Sequence, residues 1–499
     1  MEIKLEIGAL DGHKTEMLVV GIFEGQGSLS QSATALSSVV SGKISQILTD
    51  RDFTGIANSL LLLYTDCTEK AKRILLVGLG KESKFGLESI RNASGVAAKR
   101  AHELGVKQIS IQLFEEGHGS ISVEDTAQAI VEGVGLSLYQ FTELKSDYDD
   151  SKRIETVTIL LNQKRNLQPA EAGIKAGKAI VDGTSLTRDL VNWPGNFATP
   201  TFLAEQAIKI SEKAGLTCQI LDEKTMRKLG MGGLLGVSSG SEQSPKFIIL
   251  ELNANKPKLD TIVLVGKGVT FDSGGISLKP SDDMGRMRSD MAGGAAVLGA
   301  ITAAAELELP LHLVALVPAT ENMPDGRALK PGDVLRVMNG KTVEIVNTDS
   351  EGRLVLADAL CYASRYAPKI VVDIATLTGS RTVALGSAAA GLFSNDESLV
   401  RRFVEAGIKT HERVWQLPLW DDYAEELKSF AADMKHQGGK GGGACIAAAF
   451  LNKFVSYPWV HLDIAGLAST ETEKPYTPRW ATGLGTRLLI QFIRDWVSK

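Results

Sequence analysis

Apolar runs separated by polar breaks mark the first third of the chain. Runs at 17–23, 59–64, 73–77, 108–113 and 157–161 predict strands, and 87–104 and 127–138 have helical character. This alternation predicts an α/β layer with a mostly parallel sheet. The charge-dense stretch 144–152 reads as a surface loop, because 157–161 returns as a strand of the same domain. A helix predicted over 169–191 ends at Asn192-Trp193-Pro194-Gly195, a cluster of helix breakers. A second α/β rhythm follows, with a helix at 201–214 and strands at 247–252, 261–265, 312–317, 342–346 and 370–373. The expected fold class is α/β in two domains, each a mostly parallel or mixed sheet with flanking helices. The expected limits are 1–168 for the N-terminal α/β domain, 169–191 for the connecting helix and 192–499 for the second domain.

Length and composition agree with this division. The 499 residues exceed one typical domain, and 44% hydrophobic with 23% charged residues suffices for a large core. A net charge of -5 offers no basic footprint, so nucleic acid is not an expected partner. Cys67, Cys218, Cys361 and Cys445 are far apart and form no CxxC pair, which favours a reduced, cytoplasmic setting. The N-terminus carries acids where a signal peptide needs a basic region, and no run of 18 apolar residues predicts a membrane span. Val77-Gly78-Leu79-Gly80 follows a strand, but Ser83 replaces the third glycine of a dinucleotide loop. The glycine-rich run 438–443 lacks P-loop spacing and reads as a close-packed or mobile loop.

Two segments carry candidate chemistry. In the first, Lys267 and Asp272 follow the strand 261–265, the place where open α/β sheets build sites. Lys279 and Asp290 come next, Asp290 directly before the helix-compatible run 292–307. Taken alone, Asp290 reads as an ordinary first-turn acid. The second segment, Asn347-Thr348-Asp349-Ser350-Glu351-Gly352-Arg353, follows the strand 342–346. If it stays extended, Asp349, Glu351 and Arg353 project from one side. Alone it also fits a charged surface loop. Together the segments bring four carboxylates, two lysines and an arginine, with no histidine. Such oxygen-rich sets favour Mg²⁺, Mn²⁺ or Zn²⁺, and four carboxylates suit two metals roughly 3.5–4 Å apart. There is no HExxH and no GxSxG elbow, and His461 in its apolar strand reads as a hydrogen-bonded core residue.

At these residues the chain resembles the leucyl aminopeptidase family, the cytosolic two-metal aminopeptidases. The likeness lies in Gly-Lys-Gly-x-x-Phe-Asp-Ser-Gly-Gly at 266–275, Lys279-Pro280, Ser289-Asp290-Met291 and Asn-Thr-Asp-Ser-Glu-Gly-Arg-Leu at 347–354. It continues through 373–379 and 461–466, is specific from about Arg188 onward and is loose before it. The resemblance implies that 192–499 is catalytic. Asp272 and Glu351 would bridge two metals, Lys267 and Asp290 would complete the tighter site, and Asp349 the more exchangeable one. Lys267 would have to be neutral, with a pKa depressed by adjacent cations. Lys279 would stabilise the oxyanion, and Arg353 would hold bicarbonate as a proton relay for a metal-activated water. The peptide's free α-amine would anchor it, with Met287, Thr376 and Ala468 lining the first pocket and Asn347 and Leu377 as further substrate-binding residues. Met287 also fits a plain core position. An apolar pocket implies preference for leucine and similar residues. The family alternatives are a dipeptidase acting on cysteinylglycine and an added DNA-binding role, which the acidic balance disfavours. The resemblance also implies a homohexamer, a dimer of trimers.

Overall fold

The computed structural model describes residues 1–8, 13–25, 38–65, 70–114, 121–147, 151–282 and 284–498. Cys67, and Tyr148, Asp149 and Asp150 of the expected loop, lie outside them. The packing divides the chain into two units, Met1–Val181 with Thr472–Pro478, and Asp182–Glu471 with Arg479–Lys499. The division falls inside one helix, Leu167–Asn192, rather than at its ends near 168 and 192. The cause is packing. Gly173 lies so close to the Glu124 carbonyl that a Cβ would come within 2.1 Å of it. Thr187, further along the helix, donates to the Ala295 carbonyl at 3.1 Å. Each half of the helix therefore serves a different core.

The first unit is built on strands β1 (Glu2–Ile7), β2 (Met17–Phe23), β3 (Leu60–Tyr64), β4 (Arg73–Gly80), β5 (Gln108–Gln112) and β6 (Thr156–Leu161). Their order is β1-β6-β5-β2-β4-β3, parallel except for the antiparallel β3–β4 pair. Helices Leu87–Glu103 and Val123–Ser137 flank the sheet. The edge strand β1 was not among the expected strands; its alternating Glu2-Ile3-Lys4-Leu5-Glu6-Ile7 has no continuous apolar run. The late segment Thr472–Pro478 is also unexpected here. Lys99 holds it through the Lys474 carbonyl at 2.9 Å and the Glu473 carboxylate, and the Tyr476 hydroxyl donates to Glu88 at 2.8 Å.

The second unit contains β7 (Thr217–Leu221), β8 (Lys246–Leu252), β9 (Thr261–Gly266), β10 (Gly268–Asp272), β11 (His312–Asn322), β12 (Val334–Arg336), β13 (Thr342–Glu344), β14 (Ile370–Ala375), β15 (Ala390–Ser394), β16 (Val414–Gln416), β17 (Met434–Lys435) and β18 (Trp459–Asp463). The main sheet runs β16-β15-β18-β14-β9-β11-β8-β7, with β10 paired to β11. Strands β18, β14, β9, β11 and β10 are mutually parallel, while β15 and β8 run antiparallel beside them. Central parallel strands bury both faces, which is why 262–265 and 370–372 read as unbroken apolar runs. Parallel strands also end together. The carboxyl ends of β9, β10, β11, β14 and β18 deliver Lys267, Asp272, Asn322, Thr376 and Asp463 to one edge of the sheet. Among the described residues no helix is long and apolar enough to cross a membrane.

Candidate metal centre

Lys267 leaves β9 at a point where its backbone is fixed twice. Its N–H donates to the Ile374 carbonyl at 3.1 Å, and its carbonyl accepts from Gly294 at 2.7 Å. The helix Ala292–Glu306 approaches this closely only because Gly293 has no Cβ, which would stand 2.0 Å from the Ile374 carbonyl. Asp290 ends the single-turn segment Met284–Ser289 just before that helix. Its Oδ1 accepts the Thr376 hydroxyl at 2.7 Å.

The segment 347–353 is not extended, contrary to the reading from sequence. Asn347 Oδ1 accepts the Asp349 N–H at 3.0 Å and starts the turn Thr348–Ser350, and the helix Gly352–Ala363 follows directly. Asp349, Glu351 and Arg353 are therefore sent in different directions. Glu351 reaches the buried Lys267, and Asp349 reaches the outer Lys279. Gly352 permits this arrangement, because a Cβ there would lie 2.6 Å from Lys267 Cε.

The cluster has a closed end and an open end. At the closed end Lys267 Nζ stands 2.6 Å from Asp290 Oδ2 and 2.8 Å from Glu351 Oε1, and donates to the Thr376 carbonyl at 3.1 Å. At the open end Lys279 Nζ contacts Asp272 Oδ2 at 2.8 Å and the Asp349 carboxylate. The Lys279 and Asp349 side chains keep 19% and 31% of their exposure, whereas Lys267 keeps 3%. Ligand oxygens of Asp272, Asp290 and Glu351 all lie within 4.8 Å of one another.

Crowding of buried acids shows in their proton affinities. Burial, and then Glu351, push Asp272 up to about 6 against the opposing lysines. Burial likewise raises Asp290 well above the ordinary aspartate value. Burial pushes Glu351 up, but Lys267 and Lys279 together hold it below its usual value. The depressed pKa expected for Lys267 presupposes adjacent cations, and the protein's own groups act the other way. Burial works against the ammonium, but Asp290, Glu351 and Asp272 outweigh it and hold its pKa up. The charged neighbours that the protein itself gives this amine are anions, so a downward push beyond that of burial must come from bound cations.

Arg353 is buried and donates Nη1 to the His436 carbonyl at 2.7 Å, while its Nε has no hydrogen-bond partner. Burial lowers its pKa to about 10. Motif reading missed His436, which stands 83 residues from Arg353 in sequence with no pattern around it. Burial and Arg353 hold its imidazole down at about 4, so it is neutral. Nδ1 lies 3.3 Å from the Val346 N–H and 3.1 Å from the Glu344 carbonyl, and Nε2 lies 2.9 Å from the Asn347 carbonyl. Asp463 is another missed residue. It accepts the Thr378 hydroxyl at 2.6 Å and the Leu377 N–H at 3.2 Å, fixing the loop that presents Thr376. Asn322 is a third, and its position at the polar end of the apolar strand β11 is the signal that could have found it. Of the expected pocket residues, Met287 is partly buried in the single-turn segment and Ala468 is buried. The Asn347 side chain is engaged in capping, and the Leu377 backbone in holding Asp463.

Buried oxygens in a small volume test whether cations fit. Asp290 Oδ2, Asp349 Oδ1 and Glu351 Oε1 are buried and have only lysine ammonium groups against them, with no neutral donor. Four carboxylates face two lysines, so the set retains excess negative charge. The donors are oxygens with one amine nitrogen, a set suited to hard or borderline divalent ions.

The sheet-edge position and this donor set suit a divalent-metal site. Residues 185–490 match the catalytic domain of the cytosol aminopeptidase family, and residues 19–148 match its N-terminal domain. The chain is 45% identical over 490 residues to a probable cytosol aminopeptidase of Roseiflexus castenholzii, covering 97% of each. A probable cytosol aminopeptidase of Nitrosococcus oceani is 44% identical over 496 residues, with 99% of this chain and 98% of that one covered. Among solved structures, a mutant of tomato leucine aminopeptidase superposes with a TM-score of 0.87 at 32% identity, covering 99% of this chain and 96% of that one. The bottromycin maturation enzyme BotP in complex with Mn gives 0.84 at 32% identity, covering 97% and 100%. The chain belongs to the cytosol aminopeptidase family and is a metal-dependent aminopeptidase.

Proposed function

We propose that the enzyme releases N-terminal residues from peptides, leucine and other apolar ones preferentially, using two divalent ions, Mn²⁺ or Zn²⁺. The observation that carries this reading is the convergence of buried Asp272, Asp290 and Glu351 within 4.8 Å beside two lysines. Lys267, Asp272, Asp290, Asp349 and Glu351 would hold the ions. Bound there, the ions would supply Lewis acidity and hydroxide at neutral pH.

The chain's own groups do the rest. The Thr376 carbonyl takes one N–H of Lys267 and fixes the rotation of the amine. Lys279, at the open end, would stabilise negative charge on the scissile carbonyl oxygen, with Asp272 and Asp349 steadying its ammonium. Arg353, pinned by the His436 carbonyl, would hold bicarbonate as the proton relay. Anchoring the substrate's free α-amine at the ligand cluster confines cleavage to the first peptide bond. Met287, Thr376 and Ala468 would line the first pocket, with Asn347 and Leu377 beside it. Arg288 lies over the Trp480 ring at 4.6 Å and steadies the short segment that carries Met287.

The test combines chelation, a Glu351→Ala variant and a blocked substrate. Chelation is expected to abolish hydrolysis of a leucine amide and Mn²⁺ to restore it. Glu351→Ala is expected to stay inactive at any Mn²⁺ concentration, and N-acetylated peptides to remain uncut. Near-normal turnover by the variant, or cleavage of the acetylated peptide, rejects the reading.

We also propose assembly as a homohexamer in the cytoplasm. Exposed Val383, Trp415, Trp420 and Phe430 support self-association, and the unpaired Cys218, Cys361 and Cys445 suit a reducing compartment. Light scattering that gives the mass of a single chain would reject the assembly.

A further inference from the structure

Asn322 ends β11 opposite Asp272 in the parallel β10–β11 register, and only 4% of its surface is exposed. Both ends of the residue are engaged. Its carbonyl accepts the Ser273 N–H at 3.0 Å and the Ser273 hydroxyl at 2.7 Å. Its carboxamide Nδ2 donates to Asp272 Oδ1 at 2.8 Å and to the Thr348 carbonyl at 3.0 Å. A carboxamide nitrogen carries two hydrogens, so these two acceptors consume its donor capacity. One side chain therefore joins a carboxylate of the first segment to the peptide that immediately precedes Asp349 in the second.

Neither residue of similar shape serves both acceptors. Aspartate would bring a further negative charge to a set already crowded with acids, and leucine, of similar shape, has no donor. With the Gly274 N–H at 2.9 Å, Asn322 fills Asp272 Oδ1 with neutral donors, and Oδ2 is left to charged partners. Neighbouring contacts also stitch the two segments. Thr348 donates its hydroxyl to the Gly274 carbonyl at 2.6 Å and accepts the Ser277 N–H at 2.8 Å, and the Ser277 hydroxyl accepts the Thr348 N–H at 3.2 Å. None of those contacts touches a carboxylate of the cluster.

We propose that Asn322 is a positioning residue of the metal centre, orienting the Asp272 carboxylate and fixing its spacing from the Asp349–Glu351 turn. The inference rests on the reading of Asp272 as a metal ligand. Outer hydrogen bonds to ligands set the orientation and basicity of those ligands, and losing one costs roughly 10–100-fold in metal affinity.

The test measures Mn²⁺ affinity by competition with a fluorescent chelator on the full chain. Asn322→Leu removes the donors at similar volume, and Asn322→Ala does so without crowding. Both are expected to bind Mn²⁺ about 10–100-fold more weakly. At saturating Mn²⁺ both should show a lowered kcat with KM little changed. Ser277→Ala cuts only the stitching and is expected to keep wild-type affinity. Wild-type affinity in a folded Asn322 variant overturns the proposal, as does a Ser277→Ala loss equal to that of Asn322→Ala. Failure of both Asn322 variants to fold also overturns it, since the residue would then be structural. Glu351→Ala in the same titration keeps the two readings apart. If that variant binds Mn²⁺ like wild type, the metal centre itself is wrong; if only the Asn322 variants do, this inference alone fails.

Discussion

Strands β14 and β18 carry a second buried polar group, Asp373, Trp459 and His461, close to the lysine–carboxylate set at their ends. Asp373 Oδ1 meets His461 Nδ1 at 2.6 Å, and Asp373 Oδ2 accepts the Trp459 indole N–H at 2.6 Å. The His461 ring stacks on Phe393 and Trp459, with centroids 5.7 and 6.1 Å away. One acid here faces one base, and both acid oxygens are hydrogen-bonded, although His461 Nε2 has no hydrogen-bond partner. Around Lys267 the acids outnumber the lysines, and three of their oxygens have only an ammonium at ion-pair distance. Burial alone does not separate the groups, since all these residues are nearly inaccessible except Lys279 and Asp349. What separates them is whether the charge is closed within the protein. A closed cluster stabilises the fold, and an open one is held in place for something else to complete.

Matched aspartate-to-asparagine changes test that contrast. Asp290→Asn should eliminate measurable peptide hydrolysis and weaken Mn²⁺ binding. The melting temperature of the metal-free protein should hold or rise, because repulsion among buried acids falls. A clear loss of metal-free stability would make this cluster structural. Asp373→Asn should do the reverse, costing about 3–5 kcal/mol in denaturant unfolding because it leaves His461 without its charge partner. Its Mn²⁺ affinity should match wild type, and a shared loss would erase the distinction.

The smallest effect concerns pH. Burial opposes the His461 cation, but Asp373 and Asp463 outweigh it and Arg353 only partly offsets them, so the pKa is raised. The folded state thus holds the proton more tightly than the unfolded chain. That stability is complete below the ordinary histidine value of about 6.5 and fades as pH rises through the folded value. Metal-free melting temperatures should decline across that range in wild type and less steeply in His461→Gln. Equal slopes would show that the pair does not titrate as described.

Much of this architecture is readable along the chain. Central strands such as β9 and β14 are buried on both faces and show as continuous apolar runs. The ligand set is also local, since Lys267–Asp290 and Asp349–Arg353 are short segments rich in charge. Side chains that act across long separations are not readable in this way. Asn322 reaches back 50 residues to Asp272, and His436 reaches 89 residues to Asn347, each as a lone polar residue without a repeating pattern. The turn at 347–351 was misread because Asn347 spends its side chain on its own backbone. The pKa of Lys267 depends on charges beyond its own segment, since Asp290, Glu351 and Asp272 hold it up in the absence of bound cations.

The segment Thr472–Pro478 bears on the order in which the chain can mature. It belongs to the first unit, where Lys99 and Glu88 bind it, yet it is synthesised 291 residues after Val181. At ~5–20 residues per second a ribosome needs roughly 15–60 s to cover that distance. Through that interval the nascent first unit has its sheet but not the strip of chain that finishes its surface. Its last contacts form only when nearly the whole polypeptide exists, so completion of the N-terminal unit reports that all but the last stretch of the catalytic sequence, Arg479–Lys499, has been translated.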